Sequence, residues 1–220
     1  SSGISDIFRI PKFAHYFYQS QRNPNVVLDA KLFSGPMAHI ANNWTENSPL
    51  EVRVYSNCDE VALYLNDVLI AKQNPSINSN SNRLKHAPFL FQIEKYQAGT
   101  LRAEGFIDGK KVTEQVVKSP TKAFKIELSY DLSGIPMSKN NPDVVFVYAK
   151  ITDVNGTVIP DAIQEVAFTL EGENAALIGQ NPIPAEAGIA TILLRTESLQ
   201  KPLQIKATSP DLQSATLEIK

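Results

Sequence analysis

Apolar positions along this chain keep two different periods, and the change from one to the other falls near residue 25. In the opening stretch GISDIFRIPKFAHYFYQSQ, from Gly3 to Gln21, the residues Phe13, Tyr16, Phe17 and Ser20 recur at helical spacing. Pro11 suits the first turn of such a helix, where a missing N–H costs nothing, and Asn23-Pro24 supplies a stop. A single helix this aromatic cannot bury its face alone. The pattern therefore predicts a partner for it, either the domain that follows or something upstream.

Past Asn25 the period becomes two. Leu50, Val52 and Val54 face one way and Glu51, Arg53 and Tyr55 the other, which is the signature of a half-buried strand. Asn57, Cys58 and Asp59 break it. Val61, Leu63 and Leu65 start the next strand, and Asn66-Asp67 turns it into Val68–Lys72. Further strands are predicted at Phe89–Ile93, Thr100–Ile107 and Lys111–Val117, with Asp108-Gly109 as a hairpin turn. Ser119-Pro120-Thr121 marks a boundary, after which the same grammar restarts. Phe124, Ile126 and Leu128 alternate, Asp143–Thr152 is a long apolar strand, and Asp153-Val154-Asn155-Gly156 turns it back. Val166, Phe168 and Leu170, then Ala190, Ile192 and Leu194, then Leu203, Ile205 and Ala207, and finally Ala215, Leu217 and Ile219 complete the series. Short strands with turns at this spacing predict an all-β fold. Two immunoglobulin-like β-sandwiches stand in tandem, residues 25–118 and 119–220, behind a helical segment at residues 1–24.

Composition narrows the partners. The chain is 43% hydrophobic and 20% charged, enough to build packed cores. A formal net charge of −2 speaks against nucleic acid and against an anionic membrane surface, since both want a basic face. No apolar run reaches the length of a membrane span, so no membrane insertion is expected. The single cysteine, Cys58, excludes an internal disulfide.

The opening segment also resembles a known family. Gly3, Ile4, Asp6, Arg9, Pro11 and Lys12, followed by Tyr16, Tyr18 and Ser20, look like the close of the catalytic barrel in glycoside hydrolase family 2. VRVYSNCDEVALYLNDVLIAK (Val52–Lys72) and AGTLRAEGFIDGKKV (Ala98–Val112) are similar to the first immunoglobulin-like domain after that barrel. DVVFVYAKITDVNGTVIPDA and AEAGIATILLRT are similar to the terminal domain of the same enzymes, and also to repeats of bacterial surface adhesins. Relatives typically carry Asn-Gly-Lys at the first hairpin, whereas this chain has Asn66-Asp67-Val68. Asp accepts positive φ less readily than Gly, so a different turn type is expected there. The missing initiator Met fits a processed or excised piece. The resemblance implies the tail of a retaining glycosidase of β-galactosidase type, exported to the periplasm or cell surface. Its two catalytic Glu residues would lie upstream, and the chain itself would be inactive.

Candidate chemistry within the chain is sparse. Hydrolysis of this kind needs two carboxyl groups about 5 to 9 Å apart in a rigid cleft. Glu104, Glu114, Glu165, Glu171 and Glu173 read instead as solvated surface, so no catalytic residue is assigned. His15, His39 and His86 lack metal-ligand spacing, and no metal or cofactor is expected. Cys58 has no base at motif spacing and reads as a small buried residue. Asp153-x-Asn155-Gly156 opens like a calcium loop but lacks the later ligands, which favours a β-turn. Trp44, in HIANNWTENSP, is the candidate sugar contact, with a structural role favoured. The polar loop Asn74–Lys85 reads as a flexible hairpin tip that could lean toward a substrate cleft. The leading expectation is an accessory region that buttresses an upstream barrel or mediates assembly, with homo-oligomer contacts as one form of that. The alternative is a free-standing carbohydrate-binding or adhesin-type module.

Overall fold

The computed structural model describes residues 3–26, 35–132 and 134–220. They divide into two compact units, Ser1–Ser119 and Pro120–Lys220, and each has a core of its own.

The first unit begins with the only helix among the described residues, α1 (Phe13–Ser20). Pro11 stands outside it, bridged to Ser5, and Lys12 takes the N-cap position in extended geometry. The expected first-turn role of Pro11 is thereby corrected, because Gly3–Lys12 folds back on itself before the helix starts. Two antiparallel sheets follow. One orders its strands β1 (Ala38–Ile40), β2 (Glu51–Ser56), β5 (Phe89–Gln92). The other orders them β4 (Val68–Gln73), β3 (Glu60–Leu65), β6 (Thr100–Ile107), β7 (Lys110–Lys118). Alternation decides what each strand buries: Val52 and Val54 point inward from β2, and Val61, Leu63 and Leu65 from β3. They meet Phe89, Phe91, Leu101 and Trp44 in one cluster that joins both sheets, which makes the unit a sandwich.

The turn between β3 and β4 keeps the geometry of a two-residue type I′ hairpin, with Asn66 at φ 50° and Asp67 at φ 64°. The expected change of turn type does not occur. Asn66 carries the strain, since its Oδ1 accepts the Thr100 N–H at 2.8 Å and its Nδ2 donates to Ala98 O at 3.2 Å. Asp108 and Gly109, both at positive φ, turn β6 into β7 in the same way.

Among its described residues the second unit forms strands and no helix. One sheet runs β11 (Ala175–Ile178), β13 (Ile189–Thr196), β9 (Asp143–Thr152), β8 (Lys125–Asp131). The other runs β12 (Ile183–Pro184), β10 (Glu165–Glu171), β14 (Leu203–Thr208), β15 (Ala215–Ile219). Reading β8 to β11 as A to D and β13 to β15 as E to G gives sheets D-E-B-A and C-F-G, the constant-type immunoglobulin arrangement with β12 added at one edge. Val147, Ala149 and Ile151 face Val166, Phe168, Ile205 and Ile219 across its core. First and last strands also meet: Lys125 pairs in parallel with Gln213, the Ile126 N–H donates to Gln213 O and the Gln213 N–H to Phe124 O, both at 2.9 Å.

Candidate functional site

The first feature that reaches beyond the two cores is the N-terminal segment. Asp6 organises it, its Oδ1 accepting the Phe8 and Ile10 N–H groups at 2.8 Å each. Lys12 N–H then donates to Ile4 O at 3.0 Å, and Ile7 is left 80% exposed. Helix α1 follows and lies on the outer face of β1 and β2. In that pair His39 sits opposite Tyr55, and both point away from the core because Ile40 and Val54 point into it. Tyr16 stacks on the His39 ring at 3.5 Å and 8°, Phe13 tilts toward it at 6.0 Å, and Phe17 meets Tyr55 edge-on at 5.6 Å. Gln21 closes the contact from the helix end: its Nε2 donates to His86 O at 2.7 Å and its Oε1 accepts the His86 N–H at 3.2 Å. Elsewhere the segment remains open, with Ile4 and Tyr18 exposed as well as Ile7.

His39 is held in one tautomer. Gln115 Oε1 accepts the Ile40 N–H, so its Nε2 must donate, and it does so to His39 Nδ1 at 3.0 Å. The ring proton therefore sits on Nε2, which is buried without a hydrogen-bond partner. Burial, with the neighbouring His15 as a second cause, lowers the His39 pKa from 6.5 to about 4. A second proton would have to enter at Nδ1, facing a donor.

The remaining candidates resolve into structural roles. Trp44 is fully buried, stacks at a tilt on Tyr96 at 5.2 Å, and donates from Nε1 to Gln97 O at 3.0 Å. Its candidacy as a sugar contact is corrected, since no ring face reaches solvent. Ser119 fastens the same corner, donating from Oγ to Trp44 O at 2.8 Å. Glu104 and Glu114 share Lys111, at 2.8 and 2.6 Å, and Arg102 also pairs with Glu104 while lying 4.1 Å from the Tyr64 ring. The hydrogen bond from Lys111 holds the Glu114 carboxyl below its usual range, the opposite of what a proton donor requires. Glu173 pairs with Lys201, and Glu165 and Glu171 are exposed on β10. Cys58 is buried, and burial raises its thiol pKa. Asp153 spends its carboxylate on the N–H groups of Thr121, Asn155 and Thr157 and on the Thr121 hydroxyl, at 2.9 to 3.1 Å. Burial works against its ionisation, but those four hydrogen bonds outweigh it and hold the pKa low. His15, His39 and His86 do not gather: among the described residues no group of three or more His, Cys, Asp or Glu side chains could hold a metal ion. Among them, too, no helix is long and apolar enough to cross a membrane.

The loop expected as a flexible tip is stitched down instead. Ser81 is buried; its Oγ accepts the Asn78 N–H at 2.8 Å and donates to Ser76 O at 3.0 Å. Ser76 N–H donates to Pro88 O at 2.9 Å, and Asn78 Oδ1 accepts the Asn80 N–H. Sequence reasoning missed both this order and the His39–Tyr55 platform. The signal for the platform was Tyr55, an aromatic among the outward positions of β2.

Comparison with known proteins follows the same division of the chain. Residues 47–113 match a family model described as a domain of unknown function, DUF4982, and residues 126–218 match one described as glycoside hydrolase family 2 C-terminal domain 5. A β-galactosidase of Thermoanaerobacter pseudethanolicus is 33% identical over 94% of this chain, which covers 28% of that protein. A β-glucuronidase of Formosa agariphila is 25% identical over 100% of the chain, covering 22% of the protein. A β-glycosidase from Bacteroides vulgatus shares the fold with a TM-score of 0.81 at 24% identity, over 99% of this chain and 28% of that one. The chain thus spans roughly a quarter of the length of the relatives it matches.

Proposed function

Because this chain belongs to the C-terminal region of glycoside hydrolase family 2, we propose that it is a non-catalytic accessory region that steadies the catalytic part of a longer glycosidase. One observation carries the reading. The N-terminal segment is covered on one side by β1 and β2, which Phe13, Tyr16 and Phe17 meet, while Ile4, Ile7 and Tyr18 stay exposed. Apolar side chains gathered on one short segment are the mark of a surface that buries against something else. A catalytic barrel preceding that segment in a longer chain is the occupant the reading supplies. The glutamates support it from the other direction, since those discussed above are ion-paired or exposed rather than set in a cleft. Retaining hydrolysis with two Glu residues belongs to the upstream part, in the periplasm or at the cell surface.

The test has two arms. This chain alone is expected to show no turnover of chromogenic β-galactosides or β-glucuronides. In a longer protein with a barrel ahead of it, the double change Ile7→Asp and Tyr18→Asp should shorten the half-life of activity on heating. It should change the melting of the isolated chain far less, because Ile7 is largely solvent-facing there and Tyr18 touches only the edge of Phe17. Turnover by the chain alone, or an unaltered half-life in the longer protein, overturns the proposal.

A further inference from the structure

The ordered loop between β4 and β5 forms one wall of a pocket of about 300 Å³. Leu90 and Arg53 lie directly opposite each other in the β5–β2 pairing, and both line it. Phe17, held by Tyr55, is the wall on the helix side; Leu84, Asn78 and Asn80 close it from the loop. All of these elements belong to the first unit.

The lining is half apolar and half hydrogen-bonding, the mixture of a small-molecule site. Arg53 gives its Nε and Nη2 to Glu51, at 3.1 and 2.9 Å, and keeps Nη1 available. Asn78 commits its Oδ1 to the loop, which leaves its amide N–H groups, and no hydrogen bond ties down the side chain of Asn80 among the described residues. The pocket therefore offers paired amide donors and acceptors, one guanidinium corner, an aromatic ring and an aliphatic floor. Two ligand classes fit this poorly. A phosphate or sulfate wants uncompensated positive charge, and Glu51 already neutralises Arg53. An extended peptide would need the β5 edge, but Ser76 Oγ accepts the Leu90 N–H at 3.1 Å and Gln73 Nε2 donates to Leu90 O at 2.7 Å. A pyranose presents what remains: a C–H-rich face for a ring and a rim of hydroxyls for amides.

We propose that this pocket holds one neutral hexopyranose unit of a glycan, with Arg53, Asn78 and Asn80 bonding its hydroxyls and Phe17 packing on its C–H face. The choice of sugar rests on the glycosidase reading above; the pocket itself does not. The experiment is titration of this chain with lactose, cellobiose, methyl β-glucuronide and sodium sulfate, followed by amide and guanidinium NMR shifts. Saturable shifts at Asn80 and Arg53 with a neutral disaccharide are expected. Asn80→Ala and Arg53→Met should each weaken them about fivefold to tenfold, the loss of one or two hydrogen bonds, while the melting temperature stays put because both side chains are exposed. No shift with either neutral disaccharide at tens of millimolar, a response to sulfate or the glucuronide alone, or equal binding by both variants overturns the assignment. Each of those leaves the accessory role untouched, since that role is read from activity of the longer protein.

Discussion

His39 shows how a single side chain can tie an element's attachment to pH. Its ring is the floor on which Tyr16 stacks, and both of its nitrogens are placed for the neutral form. With a folded-state pKa of about 4 against 6.5 for the free group, the unfolded chain binds the extra proton first as pH falls. The contribution is therefore complete above about pH 6.5 and drains away as pH drops toward 4. His86, whose pKa is lowered by burial and by Lys85, adds a change of the same sign. The melting temperature should fall between pH 7 and pH 4.5, and His39→Phe, which keeps the stack but not the titration, should shrink that fall. An unchanged pH profile in the variant would show that the ring does not titrate in this window. Asp153 is the counterpart on the acid side: its hydrogen-bonded carboxylate loses its contribution only at lower pH, as it takes up a proton.

At the scale of elements, α1 depends on rings rather than on its own backbone. It has eight residues, no side-chain cap and no acidic residue in its first turn, so it is too short to persist undocked. Tyr16→Ala should cost about 1–2 kcal/mol, the worth of an aromatic pair plus partial burial. Hydrogen exchange should then speed up through Phe13–Ser20 while β2, β3 and β6 stay protected; uniform exchange across the unit would contradict this. The strands were far easier to read than this docking. Val52, Val54, Val61, Leu63 and Leu65 alternate cleanly because they serve one core from two sheets, so a local pattern reports a global fact. Asp143–Thr152 matches β9 to the residue for the same reason. β1, β11 and β12 have two to four residues each, too few for alternation to stand out. The platform under α1 and the pocket beside it were out of reach for a different reason. Each depends on register between strands, His39 against Tyr55 and Arg53 against Leu90, and register is a long-range property. Trp44 kept its lesser candidacy as a sugar contact because its neighbours in sequence are polar, while its burial comes from Tyr96 and Gln97, more than fifty residues on.

At the scale of the whole chain, two cores share no residue. The first cluster draws on residues from Ala38 to Ala103, the second on residues from Ile126 to Ile219. Ser119 completes the first unit through Trp44 and Gly99, and Thr121 completes the second through Asp153. A cut after Ser119 therefore leaves both sets of contacts intact. Residues 120–220 alone should fold and melt in one cooperative transition, checked by circular dichroism and by calorimetric against van't Hoff enthalpy. A broad, uncooperative melt would mean that this core is incomplete by itself. The sandwich architecture alone does not tell an accessory domain from a binding domain. What separates them here is surface: the exposed apolar positions of the N-terminal segment on one side and the Arg53–Asn80 pocket on the other.

The parallel contact between the beginning and the end of the second unit has a mechanical meaning. Lys125 and Gln213 lie side by side with their chains running the same way. A pull on the two ends of that unit drags β8 and β15 past each other in opposite directions. The hydrogen bonds of Ile126 and Gln213 are then loaded together, in shear, instead of being opened one after another. Neither gives until both yield at once. The two ends of this unit are fastened by bonds that a pull must shear.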